Sequence, residues 1–168
     1  MAWDARPFAL ASKALPRVAE IPFDSDRKRM TTIHRHDPAP SRAGIPTGFS
    51  YPPIFAFVKG APDVVLDLCN RVLSGGQAIP LMEDMRREIH ERNREMAGNA
   101  LRVLAVAYRP LHAVPEYPDP DKVEMDLTFI GLLGMIDPPR PEVAEAVKVA
   151  VGAGLKTIMV TGDYRDTA

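Results

Sequence analysis

One cysteine among 168 residues leaves the chain without any internal disulfide. That scarcity fits a reducing compartment. Cys69 follows Val64, Val65 and Leu68, so it reads as a small buried apolar residue rather than a nucleophile. A catalytic thiol would need a histidine base in a recognisable arrangement, and none is present. Long apolar runs are also missing. The longest, Leu127 to Ile136, carries two glycines and is closed by Asp137, far short of the ~18 apolar residues of a membrane span. There is no basic-then-apolar leader at Met1. Any membrane role is expected to lie in segments outside these residues, and the chain by itself is expected to be soluble. Charge of one sign is not in excess: 21 Lys and Arg face 22 Asp and Glu, net −1. A nucleic-acid partner, which wants a basic face, is therefore not expected.

What is present suffices for one sizeable core, or a core plus part of a second unit, because 46% of the residues are hydrophobic. Residues 1–18 read as irregular around Pro7 and Pro16. Val18 to Phe23 and Met30 to His34 read as strands. The Pro-, Gly- and Ser-dense stretch His36 to Pro53 reads as a loop. Ile54 to Val58 is β-branched and aromatic, and Pro62 suits the first turn of a helix carried through Asn70. Ser74-Gly75-Gly76 is a break. Leu81, Met85, Ile89, Arg92 and Met96 recur at helical spacing and predict a helix over 81–97, ended by Gly98.

Leu101 to Tyr108 reads as a strand, and residues 109–125 as a second Pro- and acid-rich loop. After about residue 126 the pattern changes. Leu127 to Met135 is a near-continuous apolar strand, Val143, Ala146, Val147 and Ala150 predict a helix, and Leu155 to Val160 predicts another buried strand. Strand, helix and strand in that order predict a parallel α/β sheet. The expected fold is thus an α+β domain over 1–126, an antiparallel sheet with flanking helices, followed by a partial α/β segment over 127–168. Two strands are too few to bury both faces of a sheet.

The chemistry-bearing residues begin at the end of that second sheet. Thr161-Gly162-Asp163 falls at the carboxyl edge of a predicted strand, where open α/β folds bind ligands. Taken alone the tripeptide is more simply a strand-ending turn. Its context says more. Gly134-Met135-Ile136-Asp137-Pro138-Pro139-Arg140, followed by Ala153 to Asp163, closely resembles the phosphorylation domain of the P-type ATPases. The resemblance implies a haloacid-dehalogenase-like, Rossmann-like segment in which Asp137, Thr161, Gly162 and Asp163 surround the phosphorylation site.

The N-terminal half resembles the same family. Phe23-Asp24-Ser25-Asp26-Arg27-Lys28-Arg29-Met30 looks like its nucleotide-domain segment. The resemblance implies that Phe23 stacks on adenine, with basic residues nearby, Lys28 among them. Lys59-Gly60-Ala61-Pro62-Asp63 is similar to the motif whose lysine lies deep in the ATP pocket. Leu101-Arg102-Val103-Leu104-Ala105 resembles the strand whose arginine contacts the nucleotide phosphates. The implied ATP ligands are Phe23, Lys28, Lys59, Gly60 and Arg102, and physical chemistry suits them. An aromatic face stacks on a purine. A lysine beside a glycine meets phosphate with little steric cost. The arginine fork matches phosphate oxygens. Without the resemblance, Phe23 reads equally as core, Lys59 as a solvated strand end, and Arg102 as a partner for a surface carboxylate.

The resemblance covers residues 20 to 168, with wording closest to the calcium-pump branch. It implies the cytoplasmic, ATP-binding part of an integral membrane pump. The intact pump would form an aspartyl-phosphate from ATP with Mg2+ and would use the remaining phosphorylation, actuator and transmembrane domains. The resemblance implies that ion selectivity is set by membrane helices outside these residues. The aspartate-lysine-threonine-glycine-threonine segment is absent from these residues, so this chain alone is expected to be inactive. The alternatives are a stand-alone nucleotide-binding or regulatory protein and a soluble haloacid-dehalogenase-like phosphatase. Asp24-Ser25-Asp26 has the phosphatase form, but Pro22 and Phe23 precede it where a buried strand should run. His34, His36 and Asp37 lack further metal ligands, so no metal site is expected.

Overall fold

The computed structural model describes residues 15–35, 54–136, 140–158 and 160. The described strands are β1 (Arg17–Asp24), β2 (Arg29–Arg35), β3 (Ile54–Gly60), β4 (Cys69–Ser74), β5 (Gln77–Pro80), β6 (Arg102–Leu111) and β7 (Leu127–Met135). The helices are α1 (Pro62–Asp67), α2 (Glu83–Gly98), α3 (Pro120–Val123) and α4 (Pro141–Gly152). The strands form one sheet in the order β1-β2-β3-β6-β7-β4-β5. Neighbours run antiparallel except β4 and β7, which are parallel. With its flanking helices, the sheet makes a mixed α+β unit.

Alternation along β3 explains the layering. Ile54, Ala56, Val58 and Gly60 are buried on one face, and Phe57 and Lys59 point to the other. On the first face Val58, Ala105, Ala107, Leu127 and Phe129 pack against Val65 and Leu66 of α1, with Ile89 of α2 beside them. Each fully buried valine, leucine or phenylalanine there contributes about 1.5–3 kcal/mol, and each alanine less. A second cluster joins Ile21, Ile33, Ile54 and Ala56 to Val123 of α3.

Several elements depart from the sequence reading. The helix begun at Pro62 ends at Asp67 rather than running through Asn70. Arg86 of α2 donates to the carbonyls of Leu66 at 2.7 Å and Cys69 at 2.9 Å. It thereby satisfies groups that a continuing helix would have used. The chain then turns into β4. Gly75 and Gly76, both at positive φ, form a two-residue turn into β5.

The largest departure is β7. The sequence reading makes it the first strand of a parallel unit. Instead it pairs with β6 from Arg102↔Met135 to Tyr108↔Thr128, antiparallel, and with β4 on its other side. Its apolar run is near-continuous because it is a central strand of the main sheet. The boundary expected at about residue 126 therefore falls inside that sheet. Beyond it, α4 forms as predicted but has no buried residue, and Val149 and Val151 are exposed. The described residues of 155–160 form no strand, against expectation. A strand needs a neighbour for its backbone groups, and none of the described strands pairs there.

Candidate functional site

The outer face of the sheet, opposite α1 and α2, carries one of the predicted pocket residues, Lys59, in the wall of a hollow. Register aligns Met30 with Lys59 and Thr32 with Phe57 across β2 and β3. It aligns Lys59 with Val106 across β3 and β6. These side chains, with Arg17, line a hollow of about 240 Å³. That is smaller than the ~300–1,000 Å³ of pockets enclosing drug-sized ligands. Its floor is aromatic and apolar. Phe57 meets His34 edge-on at 5.5 Å and Phe55 at 6.0 Å. A wider hollow of about 340 Å³ lies between α2 and β7, beside Ile89, Met96 and Leu132. It holds none of the predicted residues.

Gly60 sets how closely the turn between β1 and β2 approaches the end of β3. A Cβ there would lie 2.5 Å from both the Lys28 carbonyl oxygen and Arg29 Cβ. Only glycine lets β2 and the turn before it approach the end of β3 so closely. Ala61 then donates its N–H to the Lys28 carbonyl at 3.0 Å. The structure thus brings Lys28, Lys59 and Gly60 to one corner. Lys28 itself has φ 52°, the left-handed region, at the last position of the turn between β1 and β2.

Phe23 falls in a bulge of β1. Ile21 pairs with Thr31 and Asp24 with Arg29, so Pro22 and Phe23 together stand opposite Met30. Such bulges re-aim side chains. Phe23 is 64% exposed, an unusual state for phenylalanine, and is not among the residues that line the hollow. Arg102 is not on its wall either. It starts β6, four residues before Val106 and on the same face, about 13 Å along the strand. Asp137, Thr161, Gly162 and Asp163 lie outside the described residues.

The other basic residues of the turn do not serve the hollow. Arg27 and Arg29 reach the rear face, where Glu124 has no exposed side-chain surface. Arg27 Nη1 donates to both its oxygens, at 2.9 and 2.8 Å. Arg29 Nε donates to Oε2 at 2.7 Å, and Thr31 Oγ1 to Oε1 at 2.7 Å. Asp24, suggestive of a phosphatase in sequence, is exposed. Its Oδ1 accepts the N–H groups of Arg27 at 2.8 Å and Asp26 at 2.9 Å, and the Arg27 bond leads in lowering its pKa below the ordinary carboxylate value. It caps a turn; it does not end a buried strand. Among the described residues no group of His, Cys, Asp and Glu could hold a metal ion.

The sequence reading missed Phe57, Met30, Thr32, Val106 and Arg17 as pocket residues. A signal was available for one of them: Phe57 is two residues from Lys59 on a strand, hence on its face.

A mixed sheet with helices on one face, and a hollow walled by a strand-end lysine on the other, is an α+β domain. The family model described as "P-type ATPase, cytoplasmic domain N" matches residues 8–142, and the chain belongs to that family. It is 41% identical over 152 residues to calcium-transporting ATPase 1 of Bacillus cereus, covering 90% of this chain and 15% of that protein. It is 40% identical over 151 residues to a calcium-transporting ATPase of Bacillus subtilis, with the same coverage of 90% and 15%. It is 39% identical over 160 residues to the sodium/potassium-transporting ATPase subunit alpha of Tetronarce californica, covering 91% of this chain and 15% of that subunit. The chain spans about 15% of the length of these relatives. No described helix is long and apolar enough to cross a membrane.

Proposed function

We propose that this chain is the ATP-binding portion of a cation-transporting P-type ATPase of the calcium-pump-like branch. The observation that carries the reading is the corner where Lys59 lines an aromatic-floored hollow and Gly60 admits the Lys28 turn. Adenine enters the hollow beside Phe57 and Met30, and Phe23 closes over it from the rim. The ammonium groups of Lys59 and Lys28 meet the ribose-phosphate side, and Arg102 takes phosphate oxygens further along β6. The size of the hollow fits a base better than a whole nucleotide, so the phosphates run outward over the sheet.

In the intact pump, the γ-phosphate passes to an aspartate outside these residues, with Mg2+ neutralising the developing charge. Asp137 and the Thr161-Gly162-Asp163 segment surround that aspartate. Cation movement belongs to transmembrane domains elsewhere in the protein, and this portion faces the cytoplasm. Because β7 belongs to the main sheet, we put the junction with the phosphorylation domain after Met135, at Asp137–Arg140, not at residue 126. The calcium-pump branch rests on the wording of 126–140 and on the calcium-transporting relatives; a sodium/potassium relative matches nearly as well.

Titration of the labelled chain with ATP, ADP and AMP, followed by NMR, tests the reading. Dissociation constants on the order of 0.1–10 mM are expected, about 3–5 kcal/mol. Absence of shifts at Phe23 and Lys59 at several millimolar ATP would refute it.

A further inference from the structure

We propose that Glu124 is a positioning residue for the nucleotide pocket, acting from the opposite face of the sheet by fixing the position of Lys28. The proposal rests on the reading of Lys28 as a phosphate-side cation.

Arg27, Arg29 and Thr31 are three odd-numbered positions, and all three hydrogen-bond to Glu124. Met30 and Thr32 are even-numbered, and both line the hollow. Side chains alternate across a strand, so within β2 a carboxylate that captures Arg29 and Thr31 orients Met30 and Thr32. Lys28 lies between the two captured arginines. Arg27 and Arg29 are both held behind the sheet, and between them the exposed Lys28 meets the corner formed by Gly60 and Ala61 through its backbone carbonyl. Asp24 holds the backbone of Asp26 and Arg27 but reaches neither arginine's head group.

The chemistry of Glu124 fits positioning better than stability. Its carboxylate is wholly buried and shares two guanidinium groups. A buried ion pair often does no better than apolar residues of the same volume. What it supplies is geometry: Arg27 donates to both oxygens through one nitrogen, and Arg29 through Nε, so two heads are held at one point. Glu124 also follows α3 directly and precedes β7. The clamp therefore ties the turn at one edge of the sheet to the loop feeding its central strand.

The test uses Glu124→Gln, which keeps the shape and removes the charge and one acceptor, on the full chain. ATP and adenosine affinities are measured together with amide exchange at Ala61, whose N–H is bonded to the Lys28 carbonyl. Leu127, whose N–H is bonded to Leu68, serves as the reference amide. We expect ATP affinity to fall about fivefold and adenosine affinity less than twofold. Ala61 exchange should accelerate about tenfold relative to Leu127 as the clamp opens locally. In addition, Lys28→Ala should cost far less ATP affinity in the Glu124→Gln background than in the native chain, because coupled residues are not additive. A merely structural Glu124 would lower ATP and adenosine affinity alike, or speed both amides equally, or give independent effects with Lys28→Ala. Any of these overturns the proposal. If the native chain binds no ATP, the nucleotide reading fails by itself, and the Ala61-to-Leu127 ratio still decides whether Glu124 holds the turn. Should Glu124→Gln not fold, Arg27→Gln removes one leg of the clamp from a partly exposed side chain and is expected to change the same ratios in the same direction.

Discussion

Ala61 donates its amide to the carbonyl of Lys28 at 3.0 Å, across the point where Gly60 faces Arg29 with no room for a side chain. The end of a central strand and the turn of an edge hairpin are thereby held together through backbone. The glycine of the Lys-Gly-Ala-Pro sequence is a packing requirement as well as an opening for a ligand.

Gly60→Ala should therefore destabilise the chain by about 1–3 kcal/mol, the cost of overpacking where backbone has to move. It should weaken ATP binding as well, because Lys28 and Lys59 are displaced from each other. Urea unfolding with a parallel nucleotide titration checks both. Unchanged stability would mean that the turn yields easily, and the packing account would fail.

Phe23→Ala and Arg102→Ala should separate base from phosphate. Loss of stacking should weaken ATP, ADP and AMP alike, by roughly 1–3 kcal/mol. Loss of the guanidinium should weaken ATP more than AMP. The two substituted chains, titrated against the three nucleotides, give the comparison; an unchanged AMP affinity in Phe23→Ala contradicts the stacking role.

Cys69 gives a prediction in pH. Burial pushes its thiol up to about 12, against the opposing charge of Arg86. An unfolded thiol titrates near 8.5. The folded value is the higher one, so the unfolded chain loses its proton first as pH rises. The contribution of Cys69 to stability is complete below about pH 8.5 and declines from there towards pH 12. The urea midpoint of the native chain should fall more steeply between pH 8.5 and 10.5 than that of Cys69→Ala. Equal slopes would show that the thiol is not buried in solution.

Incubated with γ-labelled ATP and Mg2+, this 168-residue chain should acquire no acid-stable, hydroxylamine-sensitive label. The nucleophile is lacking, and positioning errors of ~1 Å already cost about 100-fold in rate. Label on the chain would require an acceptor carboxylate within it, with Asp24 the first to replace.

Much of the fold was legible because its strands are apolar and their breakers are strong. β1, β2, β3, β6 and α2 fall within a few residues of their predicted bounds. Partnership was not legible. Leu127 to Met135 has the composition of a buried strand, but composition does not say which neighbours bury it. Gly75-Gly76 is a hairpin signal as well as a break, and the weak alternation of Gln77 to Pro80 concealed the second arm. At the site, motif resemblance supplied Lys59 and Gly60, whereas the pocket walls came from register. Met30 and Val106 touch the hollow only because of the strands they face. Glu124 was invisible in sequence because its partners lie more than ninety residues away.

The parallel pairing of β4 with β7 also constrains the order of events during synthesis. Cys69 and Val72 find their sheet partners in Leu127 and Phe129, which leave the ribosome about 60 residues later, several seconds at ~5–20 residues per second. Through that interval the hairpin of β4 and β5 has no sheet to join, and β6 lacks the strand that will cover its open edge. A nascent chain stalled before residue 135 would expose both edges at once. The region most prone to pairing with another copy is then the middle of the chain, and the emergence of β7 is the step that removes the hazard.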